Sequence, residues 1–67
     1  MKLLVVEDEA LLRHHLYTRL GETGHVVQAV GDAEEALYQA EQYNHDLAVI
    51  DLGLPGMSGL DLIRQLR

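Results

Sequence analysis

The residues best placed to do chemistry are carboxylates, and they fall in two places. Glu7 and Asp8 follow the apolar run Leu3-Leu4-Val5-Val6, and Asp51 follows a second apolar run, Leu47-Ala48-Val49-Ile50. Short, wholly apolar runs of this kind predict buried parallel strands, whose carboxyl ends face the ligand crevice of an open α/β sheet. If the two strands are neighbours, three carboxylates converge. At ~4 Å and an effective dielectric of ~20 each pair repels by ~4 kcal/mol, so such a cluster wants a cation. One acid alone at a strand end is the bland case of a solvated surface group. Two apolar strands that both end in acid, with Gly and Pro in the loops, are hard to explain by surface filling.

Carboxylates with no histidine or cysteine nearby in sequence suit a hard cation, Mg2+ or Mn2+, held by one or two acids, a backbone carbonyl and water. Asp51 could serve as ligand, as nucleophile, or as both. A carboxylate beside a bound cation can attack an activated phosphoryl group and form an aspartyl phosphate.

The elements that must position these acids follow from the pattern around them. Residues 2–6 form the first strand, β1, and Glu7, Asp8 and Glu9 then favour a helix start by complementing its positive end. The first helix, α1, begins at Ala10, shows an apolar row at Leu12, Leu16 and Leu20 joined by Leu11, and ends before Gly24. Residues 25–30 (β2) are less uniformly apolar, which suits a sheet edge. Asp32 and Glu35 resemble a capping box opening a second helix (α2, residues 33–42) that buries Ala33, Ala36, Leu37 and Ala40. After the strand at 47–51 (β3), Pro55-Gly56 fits a type II turn. Ser58 then caps a third helix, α3, with an apolar face at Leu60, Ile63 and Leu66 and with Asp61 at the reciprocal position. The order β1α1β2α2β3α3 is α/β. Right-handed crossovers around a central β1 give parallel strand order 2-1-3, with the acids at the switch point between β1 and β3.

Composition narrows the function classes. The 67 residues make one domain at most, short enough to bury only ~60% of the surface the unfolded chain exposes. Eleven acidic residues against five scattered basic ones give a net charge of −6, so no basic patch exists for direct nucleic-acid binding. No run reaches transmembrane length and no signal-peptide pattern precedes β1, so the expectation is a cytoplasmic chain without a membrane partner. The lack of cysteine removes disulfides, thiol catalysis and thiolate zinc sites. Adjacent His14 and His15 point about 100° apart on a helix and cannot share a metal. His25 and His45 lie at strand starts, away from the acids, and Tyr17, Tyr38 and Tyr43 lack interleaved basic residues and read as partial cover for the sheet.

Val5-Val6-Glu7-Asp8-Glu9 before an apolar helix, and Asp51-Leu52-Gly53-Leu54-Pro55 before Met57-Ser58-Gly59, resemble the receiver domain of two-component response regulators. The Leu11-Leu12-Arg13-His14-His15-Leu16 run and the Asp-Leu-Gly-Leu-Pro wording are most similar to the PhoP-like members of its OmpR/PhoB-type branch. The resemblance implies a flavodoxin-like, CheY-like fold and a phosphoacceptor switch, not a turnover enzyme. It makes Asp51 the phosphoacceptor, served by a sensor histidine kinase in the full-length context. It also gives Mg2+ the ligands Asp8, Asp51 and the Gly53 carbonyl, with Glu7 binding directly or through water. Leu11, Leu12 and His15 would lie at or near the kinase-docking surface, although core packing is the plainer expectation for Leu12.

The same resemblance implies two further strand-helix units, one carrying a Ser or Thr and one a Lys, and a DNA-binding effector domain. None is contained in residues 1–67, which read as the N-terminal half of a receiver. A half-receiver would leave β3 as an edge and one sheet face bare, so two copies are expected to pair edge to edge through β3 or face to face. Two alternatives stand beside this reading. One is a homodimerising half-domain that binds Mg2+ but accepts no phosphate; the other is an aspartyl-phosphate phosphatase, which needs an acid where Gly53 stands.

Overall fold

The computed structural model describes residues 1–51, 53–54 and 57–66. Its elements are β1 (Lys2–Val6), α1 (Ala10–Glu22), β2 (Val26–Val30), α2 (Ala33–Gln42), β3 (Leu47–Ile50) and α3 (Gly59–Leu66). The three strands form one parallel sheet in the order β2-β1-β3, as the crossover argument requires. Val6 lies level with Val30 on one side and Ile50 on the other, so all three strands end together. The ladder runs one residue further: the Glu7 amide donates to the Val30 carbonyl at 3.0 Å, and the Asp51 amide donates to the Val6 carbonyl at 2.9 Å.

Burial follows from that order. Leu3, Leu4, Val5 and Val6 of the central strand are buried. Leu4, Val6 and Val30 join Ala33, Ala36, Leu54 and Leu62 in the core beneath α2 and α3, with Leu37, Ala40, Ile50, Met57 and Leu66 packed around them. Ala33 and Ala36 keep α2 close to the sheet because they present nothing larger than a methyl. Asp32 caps that helix by accepting from the Glu35 amide at 2.8 Å, but the reciprocal half of the box is not how Glu35 is used. Its carboxylate accepts instead from the Gln39 side chain, one turn on, at 3.3 Å.

Three sequence expectations need correction. β3 is not buried on both faces: Leu47, Ala48 and Val49 are exposed and Ile50 half-buried, because β3 is an edge strand and α1 packs against β1 and β2 on the other face. Leu12 is not core; it is 46% exposed, and the half-buried row on α1 is Arg13, Leu16 and Leu20. The apolar face of α3 is rotated from the expected one. Leu60 is exposed, while Leu62 is fully buried beside buried Gly59, with Ile63 and Leu66 half-buried at its margin. The Pro55-Gly56 turn lies outside the described residues. The end of α1 is as expected: Gly24 has φ +89°, the left-handed conformation glycine adopts without a Cβ penalty, and its amide donates to the Gly21 carbonyl at 3.1 Å.

Candidate carboxylate site

Because the strands end in register, the first residues beyond β1 and β3 are delivered to one place. One carboxylate oxygen from each of Glu7, Asp8 and Asp51 lies within 4.8 Å of the others. Glu7 is nearly buried at 9% exposure, Asp51 half-buried and Asp8 exposed, so the cluster runs from the sheet edge outward to solvent. Among the described residues these are the acids or histidines grouped closely enough to hold a metal ion. The ion pair that the described residues form lies elsewhere, between Arg64 and Asp61 on α3, so among the described residues no basic side chain pairs directly with the three acids.

Local bonds fix each acid. The Glu7 carboxylate accepts from the Glu9 amide at 3.0 Å, which ties it to the turn out of β1. Glu9 itself caps α1, its side chain accepting from the Leu11 amide at 3.2 Å and the Leu12 amide at 2.7 Å. The Glu7-Asp8-Glu9 run is therefore divided: two acids face the site and the third starts the helix. Asp51 Oδ1 accepts from the Gly53 amide at 3.1 Å, which brings Gly53 beside the acid. An all-oxygen donor set of this size matches Mg2+ or Mn2+ in kind.

Sequence reasoning missed Arg13. Its guanidinium Nη1 donates to the Glu7 carbonyl at 3.0 Å and stands 3.4 Å from the Asp8 carbonyl. The available signal was an arginine in the row that begins the sheet-facing side of α1, where an apolar residue is the default. His14 and His15 lie exposed on α1, as expected, whereas Leu11 and Leu12, expected on the apolar face, are exposed beside them. His25 Nδ1 sits 3.3 Å from the terminal amine and His45 Nε2 lies 2.5 Å from Gln28 Oε1, both at the amino ends of the strands. Tyr17, Tyr38 and Tyr43 are each about half exposed. Among the described residues no helix is long and apolar enough to cross a membrane.

Comparison with known proteins gives concordant results. Residues 3–67 match the response regulator receiver domain family. The chain is 87% identical over all 67 residues to the two-component response regulator PhoP of Pseudomonas aeruginosa, of which it spans 30%. Its fold superposes with a TM-score of 0.93 on the response regulator TrrA of Thermotoga maritima in complex with Mg(2+)-BeF, at 36% identity. That match covers 98% of this chain and 57% of TrrA. TrrA in complex with the histidine kinase ThkA matches at a TM-score of 0.92, 36% identity and the same coverage of both chains.

Proposed function

This chain belongs to the response regulator receiver domain family, and from that membership we propose that Asp51 is its phosphoacceptor and that Glu7, Asp8, Asp51 and the Gly53 carbonyl hold Mg2+. The observation that carries the proposal is the convergence of three carboxylates within 4.8 Å at the ends of β1 and β3. Asp51 Oδ1 is held by the Gly53 amide, which leaves Oδ2 as the attacking oxygen. In the transfer, that oxygen bonds to phosphorus as the P–N bond of a phosphohistidine breaks, and the departing imidazole nitrogen keeps the electron pair. Mg2+, when bound, neutralises charge on the acids and on the phosphoryl oxygens. Glu7 is oriented by the Glu9 amide to reach the cation directly or through water, and exposed Asp8 reaches it from the solvent side. Mn2+ would take the same donors.

The residue two after Asp51 is glycine and supplies no general acid or base, so the phosphoryl group is kept rather than hydrolysed through this site. That favours a switch over a phosphatase. The phosphoryl donor is a sensor histidine kinase. Support comes from the likeness to a response regulator solved with a histidine kinase, and from the apolar, solvent-facing Leu11 and Leu12 beside His15 on α1. Direct nucleic-acid binding does not belong to these residues, whose net charge is −6. Control of transcription belongs to a longer protein carrying them.

The test is phosphorylation by a small-molecule acyl phosphate with and without Mg2+, read by intact mass and peptide mapping. A single Mg2+-dependent phosphoryl adduct on Asp51, absent in Asp51→Asn, is the expected result. An adduct mapped to another residue, or one that survives Asp51→Asn, would overturn the assignment.

A second reading concerns the 67 residues as a molecule by themselves. Leu47 and Val49 on β3 are 52% and 41% exposed, and Ala48, Ile50, Ile63 and Leu66 line an open apolar cleft beside them. An edge strand with exposed apolar residues on one face and a cleft on the other is a pairing surface, and we propose a homodimer through β3. A homodimerising module that binds Mg2+ without accepting phosphate shares this surface and differs only in the outcome of the Asp51 test.

A further inference from the structure

The Glu7 amide makes the last ladder bond out of β1, and the carbonyls of Glu7 and Asp8 beyond it take their donors from elsewhere. Arg13 supplies them. One guanidinium nitrogen bonds the Glu7 carbonyl at 3.0 Å and lies 3.4 Å from that of Asp8, which braces the two residues whose carboxylates face the site. The guanidinium makes no carboxylate contact within 4.0 Å among the described residues, so it holds the backbone without occupying an oxygen that a cation would take. The space it uses is left by Gly31. A Cβ at that position would fall 2.9 Å from Arg13 Nη1, closer than real Cβ atoms come, and in ordinary contact with its Cζ at 3.5 Å. Gly31 also follows Val30, whose carbonyl accepts the Glu7 amide, so both sides of the turn meet at this point.

We infer that Arg13 is a positioning residue for the cation site, with Gly31 as the gap that admits it. The inference rests on the Mg2+ reading above. Fixing Glu7 and Asp8 by their backbone sets where their carboxylates meet Asp51, and support of this kind beneath metal ligands typically changes affinity by about 10- to 100-fold. A purely electrostatic role for Arg13 predicts the opposite sign. Removing a positive charge beside three acids would tighten cation binding, and moving the guanidinium by a methyl would leave it unchanged.

The test is Mg2+ titration of the wild-type chain, Arg13→Lys, Arg13→Met and Gly31→Ala, read by calorimetry and by the backbone amide NMR signals of residues 7–12. Positioning predicts that all three variants bind Mg2+ about tenfold more weakly, and that the amide signals of residues 7–9 move even without metal. Gly31→Ala is the telling variant. It keeps the arginine and the charge, and the clash falls on the end of a flexible side chain that can swing aside, so the fold survives. Tighter binding by Arg13→Met with unchanged Gly31→Ala would overturn the inference. A wild-type chain indifferent to Mg2+, with the amide signals still displaced in the variants, would sink the metal reading alone and leave Arg13 as the brace of the turn.

Discussion

Asp51 illustrates how one residue is costly before it is useful. Its carboxylate shares a space of 4.8 Å with those of Glu7 and Asp8, and no basic side chain pairs with them among the described residues. Coulomb repulsion at that range reaches ~3–4 kcal/mol per pair at an effective dielectric of ~20, but Asp8 is exposed and Asp51 half-exposed, so solvent screens much of it. Asp51→Asn is expected to raise the metal-free stability by about 1 kcal/mol, measured by chemical denaturation in chelator. The wild-type chain should gain what the variant loses: Mg2+ at 100 times its dissociation constant stabilises by ~2.7 kcal/mol, read as a rise in Tm that Asp51→Asn largely abolishes. Equal stability of the two chains in chelator would mean the acids do not strain one another. The acids were legible in the sequence because their strands are short, apolar and end abruptly in charge. Arg13 was not, because a cation on a helix gives no sign of which carbonyl it will reach. That depends on how α1 rolls over the sheet, which placed Arg13 and not Leu12 toward it.

Elements were legible to within a residue at most ends, since turn and cap residues act locally: Glu9, Asp32 and Ser58 each accept an amide of the helix they start. Helix faces were less legible. In α3 the expected row Leu60, Ile63 and Leu66 is one valid stripe at helical spacing, yet tertiary packing chose Leu62, which is fully buried against the core, and left Leu60 58% exposed. A period fixes which residues share a face, not which face is turned inward. The distinction is measurable. Leu62→Ala should cost about 2–5 kcal/mol through lost burial and the cavity left behind, whereas Leu60→Ala should change stability by no more than about 0.5 kcal/mol. Ala36, with no exposure, tests the close approach of α2. Ala36→Leu should destabilise by about 1–3 kcal/mol by forcing the helix off Val6 and Val30. Urea denaturation of the three variants ranks them, and a Leu60→Ala loss equal to that of Leu62→Ala would show α3 rotated from the described pose.

At the scale of the molecule, the strand order sets both the convergence of the acids and the exposure of β3. Placing β1 between β2 and β3 aligns the strand ends that bear the acids, and the same order leaves β3 with one neighbour among the described residues. Their Cα radius of gyration, 11.0 Å, equals the ~11 Å expected of a folded body of this length, so the residues are packed and not splayed. Packing is nonetheless uneven, with α1 contributing no fully buried side chain and Leu47 and Val49 facing solvent. The chain spans 30% of the PhoP relative. For the 67 residues alone, light scattering across a dilution series should give the mass of two chains at high concentration, falling toward one. Val49→Lys, which charges the exposed face of β3 without touching Leu4, Val6 or the acids, should shift the series toward the monomer while leaving Mg2+ binding intact. A folded monomer at every concentration would mean that β3 tolerates its open edge, as short edge strands can when twist and brevity deny a partner enough register to pair.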